Sequence, residues 1–372
     1  VVVRRIPEAL VWAFPALFEI NQGESWALLT ESGLTPSYCG TRLAKDAPDG
    51  LYKVRFSHPQ DAEGIGNVQP SHTLPWETSW KVVIVADQAG RIPESNLVTN
   101  LAAAPVDDYA DWIRTGRAAW SWWSDSDSPR NFEKQKTFVD LASDMGWEFY
   151  LVDANWNYEP QQDLIDLIDY ANTKNVDIFL WYNSGGPNNI VTEAPRDRMY
   201  TRKRRRQEFA WMQEIGVKGI KVDFWHSDKQ DMIQYYYDLF QDAYDFELMV
   251  NCHGCTIPRG WERTFPNMMT MESVRGAESY KFDESYPEKA PWHNVNIVFT
   301  RGVIGPTDYT PVTFTNVDYP HLTTYSHELA LAILFQSGWQ HYADAVEGYR
   351  DLPKAPKTLL QTLPVTWQET RV

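Results

Sequence analysis

From Arg117 onward, short apolar runs of strand length alternate with stretches whose apolar residues recur at helical spacing, the pattern of repeated βα units around a parallel sheet. The runs predict strands at Ala118–Ser124, Glu148–Asn155, Asp177–Asn183, Gly219–Trp225, Glu247–His253, Asn267–Ser273 and Asn296–Arg301, with an eighth near Gly338–Tyr342. Amphipathic stretches at Phe132–Met145, Leu164–Ala171, Met199–Ile215 and Met232–Ala243 predict helices between them. Eight such units favour an α/β fold closed as a (β/α)8 TIM barrel over an open sheet. The first hundred residues pattern differently. Short alternating segments at Trp26–Leu29, Leu51–Phe56 and Trp80–Ala86 are broken by Pro-, Gly- and Asp-rich turns, which predicts an all-β region. Between Arg91 and Asp111, Pro93 and Pro105 mark a crossing segment, placing a boundary near residue 100. Leu359–Val372 carries strand-like pieces after the barrel has closed, as at the start of a further domain.

With 372 residues the chain has room for one barrel of about 250 and a second unit. A composition of 43% apolar and 23% charged residues is that of a globular protein, which argues against global disorder. The longest apolar run, Ala9–Phe18, is ten residues and contains Pro15, far short of the roughly 18 that a membrane span requires. Fifty acidic against 34 basic residues leave a formal charge of −16, which repels nucleic-acid backbones except where a basic stripe intervenes. The one stripe is Arg202–Arg206; with Glu208 and Glu214 nearby it reads as a solvated helix face. Three cysteines make no disulfide framework and leave the compartment open, as does a start at Val-Val-Val-Arg-Arg with no leader pattern. The 17 Trp, 19 Tyr and 16 Phe suit sugar faces and equally suit the filling of a large core.

In a parallel barrel the chemistry gathers at the C-terminal strand ends, so polar residues closing the apolar runs are the candidates. They are Asp153, Asn155, Asn183, Lys221, Asp223, Asn251, His253 and Glu272, with Glu278 in the loop beyond. Any single carboxylate there could cap a helix or pair with a base, but so many at one face point to a site. In Gly219-Ile-Lys-Val-Asp-Phe224, alternation puts Lys221 and Asp223 on the same face, where the cation would keep Asp223 ionised. Glycoside hydrolysis needs one ionised and one protonated carboxyl across the sugar, and Asp223 fits the nucleophile of such a pair. Cys252-His-Gly-Cys255 has redox-type spacing but sits inside this strand-end motif, which speaks against redox chemistry, and the eight His show no zinc-type spacing.

The stretch from Asn251 through Cys252-His-Gly-Cys255 and Phe265-Pro-Asn267 to Glu272 and Glu278 resembles glycoside hydrolase family 97. Further matching segments are Ala118–Trp123, Tyr150-Leu-Val-Asp153, the Asp223 strand, Phe299-Thr-Arg301, Gly305-Pro306, Asp308-Tyr-Thr-Pro311 and Gln340-His-Tyr-Ala-Asp344. The resemblance implies that residues 1–100 are the C-terminal part of an N-terminal β-sandwich domain plus linker. It implies a catalytic barrel at 101–347 and the start of a truncated C-terminal β domain at 348–372. It further implies hydrolysis of α-glucosides or α-galactosides with calcium in the active site, and export to the periplasm or beyond. In the family's inverting branch a glutamate base follows the histidine ending the fifth strand; here Gly254 follows His253. In the retaining branch an aspartate nucleophile ends the fourth strand, as Asp223 does, with the acid/base at the position of Glu278.

The expectation is therefore a calcium-dependent, retaining, exo-acting α-galactosidase on α-linked oligosaccharides, with Asp223 and Glu278 catalytic. Lys221, His253, Asp153, Trp122 and Asn183 would hold the sugar, and Glu31, Glu272 and Glu278 would hold Ca2+. The rivals are an α-glucosidase of the same family, a carbohydrate-binding fragment without turnover, and nucleic-acid binding through Arg202–Arg206.

Overall fold

The computed structural model describes residues 11–105 and 110–372, so part of the Ala9–Phe18 run lies outside the described residues. Among the described residues the N-terminal lobe has two small antiparallel sheets. One is ordered β1 (Val11–Trp12), β4 (Arg42–Ala44), β5 (Val54–Arg55); the other is β2 (Ala16–Ile20), β3 (Ser25–Ser32), β6 (Trp80–Ala86). Alternation along β6 buries Val82 and Ile84 and exposes Val83 and Val85, as one-sided packing requires. The β3–β6 register sets Glu31 directly opposite Lys81. The crossing segment contains a short helix, α1 (Leu97–Leu101), which its proline-flanked sequence did not predict; Val98 anchors it against the lobe.

Seven parallel strands form the barrel sheet: β7 (Gly116–Trp120), β8 (Phe149–Val152), β9 (Asp177–Asn183), β10 (Gly219–Asp223), β11 (Met249–Cys252), β12 (Met268–Met271) and β13 (Trp339–Tyr342). Their order, β12-β11-β10-β9-β8-β7-β13, places first and last strands at opposite edges. The remaining gap is spanned by a short parallel bridge from Thr307 to Met271, a Thr307 N–H bond to Gln336 O (2.8 Å) and a Gly338 N–H bond to Met269 O (3.1 Å). The wall is thereby closed as a TIM barrel.

The strand expected at Asn296–Arg301 is not one. It falls at the end of helix α7 (Tyr286–Val298) and in a following 3-10 turn. Ala290, Asn294 and Ile297 are buried at helical spacing, which a six-residue segment with three apolar residues in a row conceals. The other helices of the barrel are α2 (Phe132–Met145), α3 (Gln161–Thr173), α4 (Arg202–Ile215), α5 (Gln230–Asp245), α6 (Trp261–Thr264) and α8 (Tyr325–Leu334). After β13 come α9 (Val346–Arg350) and α10 (Lys354–Thr362). The strand-like reading of Leu359–Val372 is likewise overturned: its first residues end α10, and no strand follows. Leu360 is buried against the barrel, and its carbonyl accepts from the Trp147 indole (3.0 Å), so α10 belongs to the barrel wall.

Strand residues alternate between two cores. Tyr150, Val152, Ile178, Leu180, Ile220 and Val222 face the helices, while Phe149, Leu151, Phe179, Trp181 and Trp339 fill the barrel interior. Phe179 and Trp339 stack across its floor, and a Cβ on Gly219 would stand 2.3 Å from the Trp339 ring. Only glycine leaves room for that indole. The basic run of α4 is not a purely solvated face, because Arg205 is buried and bonded to Asp242 of α5 (2.5 and 2.9 Å), and Arg206 bonds Asp242 and Asp245. Among the described residues no helix is long and apolar enough to cross a membrane.

Candidate active site

The interior positions of the strand ends converge as alternation requires. Lys221 and Asp223 point inward from β10, and Lys221 Nζ lies 3.2 Å from Asp153 Oδ2 and 3.7 Å from Glu278 Oε1. Trp120 donates to the same Asp153 oxygen (2.7 Å), and its ring lies 4.5 Å beneath the ammonium. The lysine thus pairs with Asp153 and acts on Asp223 from farther off, rather than pairing with it. Asp223 is 8% exposed and accepts from the Trp181 indole (3.2 Å) and from its neighbour's amide, Phe224 N (2.8 Å). Burial raises the Asp223 pKa, and Lys221 and His253 oppose that rise. Phe224 has φ +68° and Gly254 φ +52°, left-handed backbone that re-aims the chain at the strand ends. A Cβ on Gly254 would stand 3.1 Å from Asp223 Oδ1 and 3.1 Å from Phe224 N.

His253 Nε2 donates to Asp308 Oδ2 (2.8 Å). Its Nδ1 lies 3.2 Å from Glu278 Oε1 and 3.8 Å from Glu272 Oε2, without an aligned hydrogen bond to either. Burial and Lys221 work against protonation of His253, but Glu272, Asp308 and Glu278 prevail and raise its pKa well above the usual imidazole value. Burial would also raise Glu278, yet Lys221 and His253 outweigh it and hold that carboxyl low. Glu272 moves the other way, because burial and its acidic neighbours Glu278 and Asp223 exceed the help of His253 and the Gly254 amide.

With His253 neutral and both carboxyls ionised, as metal binding requires, one imidazole nitrogen and two carboxylates, all with atoms within 4.8 Å of one another, would make a donor set for a divalent cation: His253, Glu272 and Glu278. The carboxylates suit calcium, which takes six to eight oxygens, so water or sugar hydroxyls would complete the shell. Glu31 does not join them. Its buried carboxylate already accepts from Arg259 Nε (2.8 Å), Thr41 N (2.8 Å), Thr41 Oγ1 (2.9 Å), Ser79 Oγ (2.9 Å) and Lys81 Nζ (2.6 Å). Burial acts to raise it, and Arg259 and Lys81 hold it ionised. It is the ion-paired tie between the N-terminal lobe and the barrel.

Asn183, expected to hold sugar, is equally committed. Its amide donates to Val191 O and Glu193 O (3.1 Å each), and its oxygen accepts from Gly185 N (2.9 Å) and Asn189 Nδ2 (3.1 Å). It shapes the loop after β9. Trp122 does stand at the site, stacked on Trp120 with centroids 5.6 Å apart. Sequence reasoning gave no role to Asp308 and His341. Asp308 Oδ2 gathers Asn251 Nδ2 (2.6 Å), His253 Nε2 and His341 Nδ1 (3.1 Å), and fixes which face of His253 looks at the glutamates. Both lie in segments that resembled the family, the only signal that could have found them. Cys252 and Cys255 are free thiols, and burial pushes Cys255 up to about 11, which leaves it unreactive.

Buried carboxylates, a lysine and aromatic walls at the C-terminal mouth of a parallel barrel define a glycosidase-type site. The glycoside hydrolase 97 model matches residues 112–274 and the glycosyl-hydrolase 97 N-terminal model residues 2–104, and the chain belongs to glycoside hydrolase family 97. It is similar to a probable retaining alpha-galactosidase of Streptomyces bingchenggensis, 32% identical over 370 residues, 96% of this chain and 53% of that protein. It is 28% identical over 324 residues, covering 80% and 46%, to a retaining alpha-galactosidase of Bacteroides thetaiotaomicron. A solved beta-arabinopyranosidase superposes with a TM-score of 0.90 at 34% identity, covering 96% of this chain and 58% of that one. The chain spans about half the length of the curated relatives it matches.

Proposed function

We propose that this chain carries the catalytic machinery of a retaining, exo-acting α-galactosidase. Asp223 attacks the anomeric carbon to form a glycosyl-enzyme while Glu278, protonated in the substrate complex, protonates the departing oxygen; Glu278, now ionised, then takes a proton from the incoming water as it displaces Asp223. Lys221, Asp153, His253 and Trp122 hold the sugar. Glu272 and Glu278, with His253, would hold Ca2+, whose positive charge would orient ring hydroxyls.

The observation that carries this reading is how close any side chain at Gly254 would come to Asp223. A side chain at 254, where the inverting pattern needs its glutamate, would press on Asp223 Oδ1 and the Phe224 backbone. The aspartate of one mechanism and the glutamate of the other compete for one space, and here the aspartate has it. Similarity to the retaining alpha-galactosidases supports the same reading. A second reading, a β-L-arabinopyranosidase, is favoured by the 34% identical structure. That sugar has the ring configuration of an α-galactoside without the hydroxymethyl group, so one pocket could serve either.

The test is hydrolysis of aryl α-galactoside, β-L-arabinopyranoside and α-glucoside, with NMR of the first product. The α-galactoside should be cleaved fastest, releasing the α-anomer first. Preference for the arabinoside would establish the second reading, preference for the glucoside would overturn both, and initial β-anomer would remove Asp223 from its role.

A further inference from the structure

Resting on that functional reading, we infer that Phe282 forms, with Trp122, the binding platform for the leaving group, selecting substrates whose aglycone is a second sugar ring or an aryl group. The rings rise in sequence from the site to solvent: Trp120 is 1% exposed, Trp122 half-buried and Phe282 66% exposed. Trp120 and Trp122 are stacked (5.6 Å, 16°), and Phe282 meets Trp122 at 6.0 Å and 45°.

A single exposed phenylalanine is unremarkable on a protein surface. Two observations set this one apart. The row ends on the acid/base side, because Phe282 directly follows the 3-10 segment Ala277–Lys281 that carries Glu278. The leaving group departs from the side of the residue that protonates it, so the row leads where the aglycone goes. The platform is also prebuilt. Lys281 Nζ bolts this 3-10 segment to the loop after β7. It donates to Trp122 O (3.1 Å), Trp123 O (2.9 Å) and Ser126 Oγ (2.7 Å), and sits 4.4 Å over the Trp122 ring. Flat rings held at fixed spacing give apolar faces to a pyranose or aryl ring with little ordering cost on binding.

The experiment compares kcat/KM of the chain and of Phe282→Ala on an α-galactosyl disaccharide and on α-galactosyl fluoride, whose leaving group has no ring. Phe282→Ala should lower the disaccharide-to-fluoride selectivity by about 3- to 10-fold, the effect of one ring contact, and Phe282→Trp should restore it. Unchanged selectivity, or an equal loss on both substrates, overturns the platform alone. Cleavage of neither substrate by the unaltered chain overturns the functional reading, and the platform with it.

Discussion

The nearness of Asp223 to the position a side chain at Gly254 would take makes Gly254→Ala the most exacting probe of the site. Alanine adds one carbon 3.1 Å from Asp223 Oδ1 and 3.1 and 3.2 Å from Phe224 N and Cα. Comfortable separation begins at about 3.5 Å, so something moves by a few tenths of an ångström. The Phe224 backbone is held by its place at the strand end, and the carboxylate yields. Its anchors are the Phe224 amide and the Trp181 indole, and turning away strains both. Misplacing a reacting group by about 1 Å costs roughly 100-fold, so a third of that corresponds to roughly a fivefold fall in kcat. Alanine in the left-handed region costs a further 1–2 kcal/mol or so of stability, a drop of roughly 1–3 °C in Tm. Steady-state kinetics on an aryl α-galactoside and scanning calorimetry read the two effects separately. A variant that shows the Tm loss yet keeps kcat within about twofold would refute the placement of Asp223 at the reacting carbon.

Asp223→Gly should lower turnover by at least roughly 10^4-fold, and azide should restore it by filling the vacated space, yielding the β-galactosyl azide. The α-azide, or an active variant, would contradict the nucleophile assignment. Glu31→Gln removes the charge that neutralises buried Arg259, so denaturation should show a loss of about 3 kcal/mol, the same with and without Ca2+. A selective loss of Ca2+ affinity at unchanged stability would return Glu31 to the metal site. Glu328 is 2% exposed, and burial raises its pKa from 4.5 to about 7. The stability it contributes is whole below about pH 4.5 and is lost as pH rises through 7, so Glu328→Gln should gain up to about 3 kcal/mol relative to the parent between pH 5 and pH 8. Urea denaturation at the two pH values checks this; an equal difference at both would show that Glu328 is ionised throughout.

What the chain's own pattern determined is whatever depends on near neighbours. Alternation with period two placed Lys221 and Asp223, and Asn251 and His253, on inner faces, because a strand holds its side chains in that order whatever packs around it. The apolar punctuation likewise located the strands that frame them. At Asn296–Arg301 the same logic failed, since six residues are too few to separate a strand from the end of a helix, and the ring is closed instead by the Thr307 bridge. Strand-like residues at Leu359–Thr362 similarly proved to be a helix once Leu360 found the barrel wall.

The partner of each charge was decided only by tertiary structure. Glu31 could be read as a ligand because nothing near it in the chain reveals that Arg259, 228 residues away, and Lys81, its opposite number on β6, fill its carboxylate. Lys221 was expected to face Asp223 and instead bonds Asp153, 68 residues upstream. Asp308 meets His253 and His341 only because the barrel closes, bringing the chain after β12 against β13. A side chain's direction is local and survives in the sequence. Its electrostatic environment is a sum over charges from distant segments at distances of 3–4 Å, and those distances exist only once the barrel has folded.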